Sequence, residues 1–358
     1  MVNGVWEHNR STQRLRLAVV VLNYRTPELV LDCLETLVGQ VEPGRDELVV
    51  VDNASGDGSE AAIRAGISER GWGGWARVVA ADRNGGFSSG NNAGIRASDA
   101  AFYLLLNSDT LLRPGALAEL LNAAVGRPRA GLVGPRLEWS DELPQESAFR
   151  RLTPLSQLVQ SSQLSFVARA LGRHVVAKPV SDQPHQADWV SFACVLVRRE
   201  ALERVGPMDE GMFMYYEDID MGCRVRRAGF EVWYWPSARV VHLRGGSGDV
   251  KKSKEAHKRL PGYYYAARAR YLHREFGRLG LWAANVLWIA GTMLNHACKL
   301  VTGRPVHLPE RAWRDVWITK ADTPAGPRGV SIEPEVEPLF GERDGSAEGG
   351  VAGVAADG

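Results

Sequence analysis

The strongest constraint on the fold is a succession of short apolar segments, each followed by a turn and then an amphipathic stretch. Leu15–Asn23 (LRLAVVVLN) is almost continuously apolar, as a strand covered on both faces must be. Thr26-Pro27 then reads as a capping residue followed by proline at the first helical position, opening the helix PELVLDCLETLVGQ. Residues 47–52 (ELVVVD), 77–81, 101–106 and 131–137 repeat the strand pattern, with helices expected over 89–97 and 114–125. Such alternation predicts an α/β layer structure with ligands at the carboxyl ends of the strands.

Beyond this region the pattern loosens. Residues 140–187 are less periodic and read as a loop-rich insert. Regularity returns with a strand over 189–197 (WVSFACVLV), a helix over 216–228, a strand over 231–235 and a short one over 240–243. Residues 251–257 are strongly charged and read as a loop or helix start. Residues 279–297 contain no Lys, Arg, Asp or Glu and are preceded by Arg268, Arg270, Arg274 and Arg278. Bilayer spans need ~20 predominantly apolar residues. The length fits, but Asn285, Thr292, Asn295 and His296 suit a span poorly. An interfacial helix flanked by arginines fits better, with a helix packed on the domain as the alternative. From about 321 to 358, Gly, Pro, Ala and Glu without apolar periodicity predict a disordered tail.

Composition narrows the function. The 358 residues carry a formal net charge of +1, which argues against a nucleic-acid partner held by bulk positive charge. Cys33, Cys194, Cys223 and Cys298 are widely spaced and read as reduced thiols rather than a disulfide framework or zinc site. The N-terminus has no apolar signal region, so the active part is expected in the cytosol.

Five places could carry chemistry. Asn107-Ser108-Asp109 follows an apolar strand, where a carboxylate could hold Mg2+ or Mn2+ bridging two phosphates. Asp109 could equally cap the turn before Pro114. Glu217-Asp218-Ile219-Asp220 places three carboxylates at a helix start, where the helix dipole favours an ionised general base. Asp220 can pair with Arg224 one turn on, a structural role. Dipole compensation and surface ion pairing would explain the whole cluster without chemistry. Asp52-Asn53 and Asn23-Tyr24-Arg25 end the second and first strands, where a base and ribose would be read; Asp52 can accept the imide N–H of uracil or thymine, or simply form the turn. Residues 84–94 (NGGFSSGNNAG) allow close backbone approach to a ligand, but match neither GxGxxG nor a phosphate-binding P-loop. His242, in VVHLRGGS, is a lone histidine, usually structural, although Arg244 and the nearby glycines suit a phosphate-facing loop.

Taken in order, VVLNYRTPE, VVVDNASGDGS, NGGFSSGNNAGI, LLLNSDT, DWVSFACVLVRREALERVGPMDEGMFMYYEDIDMGCRVRRAG and VVHLRGGS resemble family 2 glycosyltransferases, most closely their bacterial rhamnosyltransferase-type branch. The resemblance spans about residues 15–276. It implies a GT-A fold, Rossmann-like, with a mostly parallel central sheet flanked by helices and, here, a C-terminal helical extension. It also implies an inverting transfer from a nucleoside-diphosphate sugar, with dTDP-rhamnose preferred and UDP-sugars next. The acceptor would be a hydroxyl of a glycan or polyprenyl-linked precursor in cell-envelope polysaccharide synthesis.

By the same resemblance Asp218 is the catalytic base and Glu217 its acidic partner. Asp109 and His242 would hold the divalent cation, and Asp52 would contact the base. Asn23, Arg25, Asn53, Asn84, Gly86, Phe87, Asn91, Asn107 and Ser108 complete the expected donor site. Trp189 and Phe192 are expected on the acceptor side. Asn107 replaces the first Asp of the usual DxD, so the cation would rest on Asp109, His242 and phosphate oxygens. Phe192 stands where relatives often carry glycine. The expected organisation is a tail (1–14), a catalytic domain (15–276), a helical extension with peripheral membrane contact (277–320) and a second tail (321–358), at the inner face of the cell membrane. Two competing readings are a sugar-phosphate nucleotidyltransferase and a non-catalytic nucleotide-sugar binder. The first would want a basic, Gly-rich loop after the first strand, which NYRTPE does not supply. The second would be expected to lose the acids that are present.

Overall fold

The computed structural model describes residues 14–243, 258–302 and 308–320. Arg244, the charged segment 251–257, the first 13 residues and the tail 321–358 lie outside the described residues. In chain order the first half runs β1 (Leu15–Asn23), α1 (Pro27–Glu35), β2 (Asp46–Asp52), α2 (Ser59–Glu69), β3 (Ala76–Ala80), α3 (Gly86–Arg96), β4 (Ala100–Asn107), β5 (Thr110–Leu112), α4 (Ala116–Val125) and β6 (Ala130–Glu138). There follow β7 (Ala148–Phe149), α5 (Pro154–Ser162), α6 (Ser165–Ala170), β8 (His185–Gln186), β9 (Trp189–Val190) and β10 (Cys194–Arg198). The chain continues through α7 (Arg199–Val205), α8 (Glu217–Arg227), β11 (Glu231–His242), α9 (Gly262–Thr302) and α10 (Ala312–Asp315).

Strands β3-β2-β1-β4-β10-β6-β11-β5 form one sheet, to which β8 adds alongside β11. β1 to β4 are mutually parallel, as alternation with helices requires. Successive residues of these strands face opposite layers. Leu17, Val19 and Val21 pack with Val30, Cys33, Ile63, Leu117 and Leu120, while Ala18 and Val20 pack with Ile95, Leu202, Met221 and Val225. Neither face is left to water, which is why these strands read as near-continuous apolar runs.

Register brings the strand ends to one edge. Asn23 aligns with Asp52, and Leu22 with Asn107. β10 runs antiparallel to β4 with Cys194 opposite Leu106, so the preceding turn arrives at the same edge, where Ala193 O accepts from Asn107 N at 2.9 Å. β11 returns with His242 opposite Thr110 of β5, a strand that the sequence pattern did not reveal.

Three expectations change. The run 189–197 is not one strand: β9 pairs with β7 in a separate two-stranded sheet, and β10 enters the main sheet after a turn. The two late strands are one, β11, with a register shift between Trp235 and Arg239. Thr26 makes no side-chain cap; its hydroxyl bonds Ser108 and Asn23 instead.

The C-terminal helix also differs. α9 begins at Gly262, well before the expected extension, and breaks at Gly277, whose φ of +68° favours glycine. Its first part buries Tyr265, Ala267, Tyr271 and Leu272, the last three against Met212, Tyr216, Ile219 and Cys223. Its second part packs against α5, inside the insert expected to be loop-rich. Arg268 is buried and donates to Gln157 and Asn285, and Arg270 and Arg274 are engaged by carboxylates described below. Of the four expected flanking arginines, Arg268 is therefore internal, while Arg270 and Arg274 stay at the surface but are held by carboxylates of the protein. Asn285, Thr292 and Asn295 are buried toward the protein, so the polar face of this helix is its packed face.

Candidate active site

The first wall of the site is the edge where β1, β2 and β4 end. Asp52 is buried, and its carboxylate accepts from Asn23 Nδ2 at 2.6 Å, Ser55 Oγ at 2.6 Å and Ser55 N at 3.1 Å. Asn23 is fully enclosed, and its side-chain Oδ1 accepts from the backbone N–H and the hydroxyl of Thr26. It holds two loops in register and exposes no face to a ligand. Arg25, with φ +61°, is exposed and bonds the Ser55 carbonyl at 3.0 Å, with its guanidinium 5.1 Å from the Tyr24 ring centroid.

Asn53 joins this wall to the next. Its amide donates to Asn84 Oδ1 at 3.0 Å and Gly86 O at 3.1 Å. Gly86 has φ +84°, and a Cβ there would overlap the carbonyl oxygen of Phe213. Phe87 N donates to that same oxygen at 2.6 Å, Ser88 Oγ to Met212 O at 3.0 Å, and Asn92 Nδ2 to Met208 O at 2.9 Å. Asn91 turns its amide back on Phe87 O, leaving its Oδ1 buried without a partner. The glycine- and asparagine-rich segment thus clamps the loop 208–216 that leads to the acid pair.

That loop ends under strain. Tyr215 and Tyr216 both take φ above +70°, a conformation that costs an L-residue roughly 1–2 kcal/mol. Packing holds it: Tyr216 is buried, with ring centroids 5.6 Å from Tyr264 and 6.1 Å from Tyr271 of α9. The sequence displayed this only as an aromatic run, MFMYY, before the acids.

At the start of α8, Glu217 is buried with Oε2 lacking a partner, while Asp218 is part-exposed and accepts from Ile219 N at 2.8 Å. Burial pushes the Asp218 carboxyl up to about 7. Burial, followed by the neighbouring Asp218 charge, raises Glu217 well above the carboxylate range. The helix N-terminus favours ionisation, but its effect is typically only 0.3–1 kcal/mol and desolvation outweighs it. Asp220 points elsewhere. It is fully buried and paired with Arg224 at 2.8 Å, as the i,i+4 spacing predicted.

Beyond β4, Asp109 Oδ1 stands 3.6 Å from His242 Nε2, both sparingly exposed. Thr110 Oγ1 anchors the turn on Asn107 O at 2.7 Å, and Ser108 Oγ lies 2.9 Å from Thr26 Oγ1. Asn107 Oδ1 is buried without a partner. No group of three or more His, Cys, Asp or Glu assembles among the described residues. Two side chains at this separation suit a divalent cation that takes its remaining ligands from phosphate and water.

Trp189 and Phe192 are both buried. Trp189 stacks on Phe149 at 4.0 Å and donates to Arg150 O, and Phe192 lies in the core beneath the sheet. Neither residue is more than 8% exposed, so neither ring presents a face to an acceptor.

The model of the family described as "Glycosyltransferase like family 2" matches residues 14–260. An N-acetylglucosaminyl-diphospho-decaprenol L-rhamnosyltransferase of Mycobacterium tuberculosis (strain ATCC 25618 / H37Rv) is 28% identical over 272 residues, covering 67% of this chain and 78% of its own. The rhamnosyltransferase WbbL of Escherichia coli (strain K12) is 25% identical over 203 residues, 54% of this chain and 75% of its own. Among solved structures, GalNAc-T7 with UDP, GalNAc and Mn2+ matches with a TM-score of 0.52 and 14% identity over 82% of this chain and 59% of that one, a likeness of fold.

Proposed function

The chain belongs to glycosyltransferase family 2 and has the GT-A fold, and on that premise we propose that it is an inverting, metal-assisted enzyme that moves a sugar from a nucleoside diphosphate to a hydroxyl of a lipid-linked glycan. dTDP-rhamnose is the preferred donor, with UDP-sugars next. The acceptor follows from the mycobacterial relative, whose name carries a decaprenyl diphosphate, and the donor from the rhamnosyltransferase names of that relative and WbbL. The polymer would be a cell-envelope polysaccharide, made at the inner face of the membrane with the enzyme in peripheral contact.

The observation that carries the catalytic half is Asp218: a part-exposed carboxyl at the start of α8, pushed up to about 7. A base tuned near the working pH accepts a proton most effectively while remaining mostly ionised. In this reading Asp218 takes the acceptor hydroxyl proton as the oxygen attacks the anomeric carbon opposite the leaving diphosphate. Glu217, buried and raised well above the carboxylate range, would keep its proton and add no second negative charge.

Asp52 would accept the imide N–H of the pyrimidine. Asn23, Asn53, Asn84, Gly86, Phe87 and Asn91 would build the loops around it, and Arg25, Asn107 and Ser108 would lie toward the ribose and phosphates. Trp189 and Phe192 would set the acceptor wall from beneath. Asp109 and His242 would hold a divalent cation, with the orphaned Asn107 Oδ1 on the same turn. When bound, that ion neutralises charge developing on the departing diphosphate.

A panel of nucleotide sugars incubated with Mn2+, Mg2+ or chelator tests the reading. Donor hydrolysis is expected for one pyrimidine-nucleotide sugar and is lost in chelator. Full activity in chelator for every donor would remove the metal, and wild-type transfer by Asp218→Asn would remove the base.

A further inference from the structure

The second part of α9 presents the reverse of an ordinary surface helix. Its packed face holds Asn285, Gly291, Thr292 and Asn295, whereas Leu279, Trp282, Val286, Met293 and Leu300 face outward. Their spacing of 3, 4, 7 and 7 residues places them along one stripe of the helix. Leu279 is 84% exposed and Leu300 81%. A side chain carrying a full charge does not occur between Arg278 and Lys299. Soluble proteins rarely leave so long an apolar row in water without a use for it.

A second element shares this face. A cavity of about 470 Å³ is lined by Trp288, Ile289, Met293 and Leu300 of α9 together with Leu308 and Trp313. The turn around α10 is therefore a neighbour of the stripe. On it Trp313 and Trp317 are exposed, alternating with exposed Arg311, Arg314 and Lys320. The Arg314 guanidinium lies 5.2 Å from the Trp313 ring centroid. The acids of this turn do not cancel that charge: Asp315 is buried in a pair with Arg259, at 2.7 Å, which leaves Glu310 as the solvent-facing carboxylate. Trp beside Arg, next to an apolar stripe, is the composition of surfaces that sit at the headgroup level of a bilayer.

We infer that the outward stripe of α9 and the Trp313–Trp317 turn form one docking surface for an anionic lipid bilayer. The apolar row enters the acyl boundary, the tryptophans sit at the headgroups, and Arg278, Lys299, Arg311, Arg314 and Lys320 meet lipid phosphate. The helix lies in the interface, since no helix among the described residues is long and apolar enough to cross a membrane. This deepens the reading of a lipid-linked acceptor and rests on it for its purpose. The mobile substrate class it implies is an amphiphile whose headgroup lies in the plane on which the enzyme rests.

Sedimentation of the full chain with vesicles tests it, with donor hydrolysis in solution as a separate measure of the catalytic site. Binding to vesicles containing phosphatidylglycerol is expected, weak binding to phosphatidylcholine alone, and weakening with salt. R311Q/R314Q is expected to lower affinity roughly tenfold or more, since each basic residue near an anionic surface contributes about 1 kcal/mol. M293E/L300E is expected to abolish sedimentation while leaving donor hydrolysis unchanged. Equal binding of wild type and both variants would overturn the inference. So would a vesicle-free dimer whose association M293E/L300E breaks, because a second copy would then cover the stripe. Vesicle binding without hydrolysis of any donor would leave the surface standing and remove the glycosyl-transfer reading instead.

Discussion

Arg274 Nη1 donates to Asp220 Oδ1 at 2.7 Å, while Arg224 Nε donates to the other oxygen of the same carboxylate at 2.8 Å. Arg274 also pairs with Asp209, which takes a second bond from Arg270 at 2.7 Å. One arginine of α9 thus ties the loop before the acid pair to the helix that carries it. The family match ends at residue 260, so this clamp comes from outside the matched region.

Replacing Arg274 with Gln is expected to lower kcat several-fold with little change in KM for the donor. Stability should fall by about 1–3 kcal/mol, the range for losing a charged hydrogen bond to a buried acceptor. Steady-state kinetics and a thermal melt read both. A purely structural contact would lower the melting temperature and leave kcat intact.

Asp218→Asn keeps the shape of the side chain and removes the proton acceptor. Transfer should fall by roughly 10²–10⁴, the usual contribution of general-base catalysis. Binding of the nucleotide sugar, followed by calorimetry, should be nearly unchanged.

The acid pair also predicts a pH profile. With Asp218 pushed up to about 7, the base is protonated and inactive below that value and ionised above it. The rate kcat/KM should therefore rise about tenfold per pH unit on the acid limb and level off above ~7. Stability runs the opposite way. Both carboxyls sit above their unfolded values, so their favourable contribution is complete below ~4; that of Asp218 is lost as pH rises through ~7, and that of Glu217 is lost in the same direction. Glu217→Gln should flatten that loss in a series of melts at different pH.

Asp109→Asn and His242→Ala should each raise the Mn2+ concentration needed for half-maximal donor hydrolysis. The shift should be at least the ~10–100-fold that loss of an outer-shell partner costs. Unchanged metal titrations would place the cation elsewhere.

Gly86→Ala adds a Cβ where φ is +84° and where the Phe213 carbonyl oxygen already lies. A loss of about 2–3 kcal/mol is expected by chemical denaturation, together with reduced kcat, because Phe213 lies in the loop that delivers Glu217 and Asp218. A neutral result would mean that this loop shifts without consequence.

Much of this was legible in the residues in order. The parallel strands follow from runs such as LRLAVVVLN, because only a strand buried on both faces tolerates that composition. The i,i+4 pair of Asp220 and Arg224 follows from helix geometry alone. What misled was equally physical. Residues 189–197 are uniformly apolar, so nothing local marks the turn that divides β9 from β10. Arg268, Arg270 and Arg274 read as cationic flanks because their partners, Gln157, Asp209 and Asp220, lie 54 to 111 positions away.

The amino-acid sequence by itself determined the alternation of strands and helices and the places of the acids at 109, 217 and 218, since each depends on local backbone geometry or on order along the chain. Tertiary structure alone decided how each acid is partnered and exposed. It buried Asp220 between two arginines, left Asp218 part-exposed with its proton held more tightly, and brought His242 from the last strand to 3.6 Å from Asp109. It also decided that the polar face of α9 turns inward and the apolar stripe outward. Ionisation and exposure depend on what the fold places opposite each side chain, and that is a property of contacts between distant segments.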